Sequence, residues 1–290
     1  MNLLRCHTRR PWRRLWSPAV GLALTGLLSS CGPSYTRNHL APDLQDLCAK
    51  EYHLPVRAQL FGHDLTVICT IAGLLKSSGG QVEFAPSQHA NEQLGNIVEA
   101  LHRVTLSADW PIEFYAIVAT DPTVPGAWLM LVRCLEDVRR VYASAIPTME
   151  FFQRTILNLQ YDPVRPPDTE RLALRDMTLE QFLTLQMGKR LQNVLRADPQ
   201  SQVAYEVGTC VGQFKQGTFQ FVVEVAPRSG GPELTDHETS TIFEEALGVI
   251  ASVLRDYHFD AFIDVQLLHF PSGKTMGVPK TRLWTFLPAP

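Results

Sequence analysis

Twice along the chain a helical apolar stripe is flanked by pairs of strand-like runs, and that recurrence limits the fold more than any motif does. The first stripe is Leu94, Ile97, Val98, Leu101 and Val104, in a predicted helix over 90–106; the second is Phe243, Leu247, Ile250 and Leu254, in a helix ending near Tyr257. Spacings of three and four put each set on one helix face, which must be buried against something apolar. Strands are expected around the first helix at 56–61, 65–72, 112–120 and 127–134, and around the second at 203–211, 218–226, 261–270 and 281–287.

A short helix opened by Pro42 and Asp43, with Leu44, Leu47 and Cys48 on one face, precedes the first set; a longer one, opened by the capping-box pair Thr178 and Gln181, precedes the second. Both halves then read helix, strand, strand, helix, strand, strand. The turns at Gly62 and Gly217 are about 155 residues apart, the helix centres Ile97 and Ile250 about 153, and the strand starts Ile112 and Ala261 about 149. The prediction is an α+β fold of two similar αββαββ units, with helices packed on mostly antiparallel sheets. The first unit spans 42–161 and the second 178–290, joined by a Pro-rich linker over 162–177. Within the first unit, 76–80 reads as a loop, and helices are expected over 137–145 and 148–159.

The N-terminus carries a separate signal. Arg5, Arg9, Arg10, Arg13 and Arg14 precede an apolar run from Leu15 to Leu28, short of the ~20 residues that span a bilayer. It ends in Leu28-Ser29-Ser30-Cys31. This quartet, with the charge and apolar pattern before it, resembles the lipobox of bacterial lipoproteins. The resemblance implies cleavage after Ser30, a signal peptide over 1–30, diacylglycerol and N-acyl groups on Cys31, and a tether over 31–41. Gly32, where an aspartate favours inner-membrane retention, implies an outer-membrane anchor facing the periplasm if the source has two membranes. Thr8-Arg9-Arg10-Pro11-Trp12 also looks like a twin-arginine motif, so two export routes stay open. The resemblance ends at the tether; no family is recognised for the mature domain.

Of 26 basic residues, five lie in the leader, so 21 face 29 acids in the remainder, a net of about −8. That disfavours a nucleic-acid surface. Beyond Cys6 and Cys31, the cysteines Cys48, Cys69, Cys134 and Cys210 form no C-x-x-C pair. Export permits disulfides, with Cys48 and Cys69 the nearest candidates, while the apolar runs around Cys69 and Cys134 suit buried free thiols.

No nucleophile elbow, zinc-binding helix, Walker loop or dinucleotide fingerprint is present, and the histidines after the leader have no ligand spacing. No cofactor or metal is expected. His63-Asp64 at a hairpin tip, Asp260 with Asp264 near one strand, and Trp110, Trp128 and Trp284 beside strands are the weaker candidates, and each has an ordinary turn or packing role to fill. The stiff turn at 121–126, with Asp121, Pro122 and Pro125, is the predicted partner contact. These readings favour a membrane-anchored, non-enzymatic binding or adaptor module, held by Cys31 and meeting an envelope protein. The alternatives are an envelope hydrolase whose site assembles only in three dimensions, and a lipid or small-ligand carrier, which needs an apolar cavity between sheet and helices. Cys31→Ala is expected to move the protein from the membrane pellet to the soluble exported fraction; unchanged pelleting would make the apolar run 15–28 the anchor.

Overall fold

The computed structural model describes residues 35–79, 81–164, 168–169, 171–198, 205–228 and 234–287. The leader, residues 31–34 of the tether, Cys31 among them, and residues 165–167 and 170 of the linker lie outside them. Tyr35 bridges to the segment after the first long helix: its amide donates to the Ser107 carbonyl and its own carbonyl accepts from the Asp109 amide. Helix α1 (Leu40–Glu51) buries Leu40, Leu44 and Cys48. His39 stands at its N-cap without a side-chain bond, so Asp43 lies inside the first turn and acts through the helix dipole rather than as a cap.

Strands β1 (Arg57–Phe61) and β2 (Asp64–Thr70) form an antiparallel hairpin. Gly62 at its tip has a φ of 55°, and a Cβ there would lie 1.9 Å from Asp176 Oδ1, so the turn needs glycine. Where a loop was expected, β3 (Leu75–Ser78) and β4 (Gln81–Phe84) make a second small hairpin. Helix α2 (Gln88–Leu106) starts at Ser87, whose hydroxyl accepts from the Ala90 amide, and buries Leu94, Ile97, Leu101 and Val104. It crosses over to β5 (Phe114–Thr120), parallel to β2, and β6 (Ala127–Cys134) returns antiparallel. After α3 (Leu135–Tyr142), the helix expected to run to 159 stops early. It is α4 (Thr148–Arg154), and β7 (Ile156–Tyr161) follows as an edge strand on β6.

In the second half, α5 (Leu179–Ala197) and α6 (Asp236–Asp256) both open on reciprocal capping boxes, Thr178 with Gln181 and Thr235 with Glu238. Strands β8 (Tyr205–Lys215) and β9 (Thr218–Pro227) are antiparallel; α6 crosses over to β10 (Asp264–Phe270), parallel to β9, and β11 (Thr275–Pro279) pairs antiparallel with β10. The last expected strand, over 281–287, is instead helix α7 (Lys280–Leu283) and a 3-10 turn at Trp284–Phe286. Pro279, with no amide to donate, closes the ladder just before it.

The sheets run in the orders β1-β2-β5-β6-β7 and β11-β10-β9-β8. Each contains a hairpin, a helical crossover to a parallel neighbour and an antiparallel return, and each set follows a helix. The whole is an α+β fold. Helices α1 and α2 cover one face of the first sheet, around Leu65, Val67, Tyr115, Ile117 and Leu129. Its other face, with Phe114, Ala116, Val132 and Cys134, shares a core with Phe182, Leu183 and Met187 of α5 and with Phe219, Phe221, Val223 and Val265 of the second sheet. The rings of Phe114 and Phe182 stand 5.1 Å apart across that junction. Four layers result: helices, sheet, helices, sheet.

A buried polar network crosses the same junction. Arg154 donates to Asp137 at 2.8 Å and also pairs with Glu150; the Tyr257 hydroxyl donates to Asp137; Gln186 donates to the Arg154 carbonyl at 2.7 Å and to the Tyr257 hydroxyl at 3.0 Å. Among the described residues no helix is long and apolar enough to cross a membrane. On α5, Gly188 lets the helix lie against β8, since a Cβ there would meet the Cys210 carbonyl oxygen at 2.6 Å. Gly188→Ala should therefore destabilise the protein by about 1–3 kcal/mol despite alanine's higher helix propensity. Urea unfolding measures this, and a rise in stability would mean that α5 can move away from the sheet freely.

Candidate functional site

Among the described residues the first sheet is covered on both sides and the second on one, and the difference is written in their strands. β5 is buried at six of its seven positions, whereas β10 alternates buried and exposed along its length. Inward residues of the second sheet, Phe219, Phe221, Val223, Val265 and Leu267, meet α5 and α6. The outward ones make an open face, on which Val211 is 56% and Phe270 54% exposed.

Register organises this face into rows. Gln213 stands opposite Gln220, and Gln220 opposite Gln266. Their side-chain amides run in one sense: Gln213 donates to Gln220 at 2.8 Å, Gln220 to Gln266 at 3.3 Å, and Gln266 to Asp264 at 3.2 Å. Asp264 also accepts from the Thr218 hydroxyl, so the row ends on a doubly held carboxylate. Such chains polarise each bond in turn, and each amide keeps an N–H and a lone pair for another molecule. The next row is apolar, Val211 beside Val222 beside Leu268, with Phe270 one step further on. Together the rows line a shallow concavity of about 740 Å³ that reaches Thr275 and Gly277 on β11.

One edge of the face is shaped by a bulge in β8 between Val207 and Cys210. Glu224 fills it from β9, accepting from the Thr209 amide and hydroxyl at 2.9 Å, and these two bonds hold its carboxyl below the usual range. A Cβ at Gly208 would collide with that carboxylate at 2.4 Å. Gln192 and Arg196 of α5 donate to carbonyls of the same bulge, which blunts this part of the sheet edge. The surface is thus an amide row beside an aliphatic row.

The residues singled out in the sequence lie elsewhere. Asp121 is 2% exposed; its carboxylate accepts from the amides of Gly73, Leu75 and Thr123 and from the Thr123 hydroxyl, tying the turn at 121–126 to the start of β3. Pro122 and Pro125 of that turn are exposed. Of the weaker candidates, His63 and Asp64 point apart. The His63 ring stacks on Trp110 at 5.1 Å, with its Nδ1 2.7 Å from the Pro111 carbonyl, and the Arg37 guanidinium lies 4.0 Å from the Trp110 ring centre. Asp64 is buried on the opposite side, where it accepts from the Met177 amide at 2.6 Å, while Thr66 accepts from the Leu174 amide. Asp260 precedes β10 and lies beside Lys280, apart from the Asp264 row. His269 faces inward, bonded to Ser272 and the Val225 carbonyl. Trp110, Trp128 and Trp284 stand on separate elements, and Trp284 packs edge-on to Phe262.

Cys48, Cys69, Cys134 and Cys210 are buried free thiols, pushed up by burial to between about 11 and about 12. Among the described residues no group of three or more His, Cys, Asp or Glu is placed to hold a metal ion. No protein-family model matches the chain, and no curated protein matches it significantly.

Asp64 has a measurable consequence. Burial raises its carboxyl from 3.8 to about 6 against the lowering effect of the Met177 amide, with Asp176 and Glu113 adding to the rise. Between those values the folded state keeps a proton that the unfolded chain has lost. This group therefore lowers stability as pH rises through that window, by roughly 3 kcal/mol at 1.36 kcal/mol per pH unit. Urea midpoints measured from about pH 4 to 7 should decline less steeply in Asp64→Asn than in the parent; identical slopes would mean that Asp64 ionises normally.

Proposed function

We propose that the chain is a membrane-anchored adaptor of the bacterial cell envelope, non-enzymatic, which docks an envelope protein on the open face of its second sheet. The anchor is acylated Cys31, in the outer membrane and facing the periplasm where there are two membranes. The observation that carries the reading is the outward-facing aliphatic row Val211, Val222, Leu268 lying beside a pre-ordered amide row Gln213, Gln220, Gln266. An apolar strip flanked by satisfied but still available polar groups is the make-up of a protein-docking surface.

Layer order supports the same reading. The described residues begin at Tyr35, against the segment that follows α2, and α2 belongs to the outermost helix layer. The open face is the outer surface of the opposite layer. With layers stacked at ~10 Å, roughly 30 Å separate the anchored side from the docking side. A partner can therefore be met on the side turned from the membrane.

A photo-crosslinking residue at position 220 or 266 is expected to give a discrete adduct in intact cells, and one at Glu92, on exposed α2, is not. Leu268→Glu, at a partly exposed position, should leave thermal stability within ~0.5 kcal/mol and abolish the adduct. Equal adducts from Glu92, or an adduct that survives Leu268→Glu, would remove the open face from the function.

A further inference from the structure

A second site lies on the other side of the molecule, where the helix layer stops short of the edge of the first sheet. Helix α2 covers β5 and β6, and β7 extends the sheet beyond it. The space between α2 and β7 is a cleft of about 690 Å³, closed at one end by α3 and α4. Its walls include Leu94 and Val98 of α2, Leu131 of β6, Leu157 of β7, and Phe151 and Phe152 of α4. Phe152 is 58% and Tyr142 65% exposed, and both line the same cleft. A cleft of this size with mostly apolar walls is within the range of small-molecule sites.

Arg133 lies in this lining and is 7% exposed. Its Nε donates to the Thr155 hydroxyl at 3.0 Å, its Nη1 donates to the Tyr115 hydroxyl at 3.2 Å, and its guanidinium lies 4.6 Å from the centre of the Phe151 ring. These partners are all neutral. Among the described residues no carboxylate makes an ion pair with it, in contrast to Arg154, which at similar burial has two. A desolvated guanidinium with no counter-charge costs several kcal/mol, and two of its five N–H groups are used. His102 adds no charge: burial, and then Arg133, push it down to about 4, and its ring nitrogens meet the Tyr115 hydroxyl at 2.7 Å and the Tyr142 hydroxyl at 3.1 Å. Glu99, exposed on α2, is the acid in the lining.

We propose that this cleft binds a single-chain amphiphile with an anionic headgroup, a carboxylate or phosphate monoester, whose head meets the free N–H groups of Arg133 and whose tail lies along Leu94, Val98 and Leu157. The missing counter-charge and the apolar walls call for one molecule that carries both. A planar guanidinium suits either oxyanion, since both accept two parallel N–H bonds. The site is distinct from the open sheet face and does not depend on the docking reading.

The test uses the full chain exported with Cys31→Ala, so that no acyl group of its own competes, and titrates it with oleate, monooleoyl phosphate and the uncharged monooleoyl glycerol. Binding is read by tryptophan fluorescence and by native mass spectrometry. One oleate or one monooleoyl phosphate per chain is expected to bind saturably, the tighter of the two identifying the headgroup, with the glyceride weaker by about ten-fold or more. Arg133→Met should remove that preference while keeping or raising thermal stability. Gly95→Leu, which grows into the open space beside α2 and leaves Arg133 intact, should weaken all three ligands together. Equal affinity for the glyceride, binding unchanged in both variants, or no saturable binding would overturn the proposal.

Discussion

Covering the first sheet on both faces is the constraint on which the remaining architecture depends. A sheet buried on one side is satisfied by α1 and α2 alone; the apolar residues on its other side, Phe114, Ala116, Val132 and Cys134, require a second cover. That cover is α5 with α6, and helices striped for one sheet must themselves be backed by another. The second sheet supplies the backing and leaves its outer face uncovered among the described residues. The network of Asp137, Arg154, Gln186 and Tyr257 lies at this junction and has members from both halves of the chain. Removing one member of such a buried set typically costs 3–5 kcal/mol, because the others lose their compensation. The junction therefore specifies how the halves meet as well as adding to stability.

Local signals carried far in the sequence where they were local in the structure too. Both capping boxes, both crossover helices and the first hairpin can be read from spacing, since caps and amphipathic stripes act within one or two turns. β7 could not: Phe152, Ile156 and Leu159 keep helical spacing, and only the free edge of β6 makes residues 156–161 a strand. In the same way, β11 and α7 are decided by Pro279 ending a ladder and by Leu283 finding the core, both matters of tertiary context.

Candidate sites were less legible for a related reason. The alternation of β8, β9 and β10 says that one face is open, yet the glutamine row exists only once three strands are set in register across a crossover. Asp121 shows the opposite case: a turn residue that looked available is buried among four donors from two segments. Arg133 was visible as a charge at the end of an apolar run, Leu129-Met130-Leu131-Val132-Arg133. Its meaning depends on what is absent around it, and absence of a carboxylate is a property of the packed molecule alone.

The bridge from Tyr35 to Ala108 also sets a leash. Three residues, 32–34, separate Cys31 from this fixed point, a reach of at most ~14 Å over four steps of 3.3–3.6 Å each. On the proposed acylation of Cys31, the body is confined to a thin shell above the lipid and searches in two dimensions. Tethering at such short range converts encounter with another membrane-held molecule into a nearly intramolecular event, at millimolar effective concentration. An intrinsically weak contact surface is then enough, and its occupancy follows the lateral crowding of the membrane more closely than the number of molecules in the compartment.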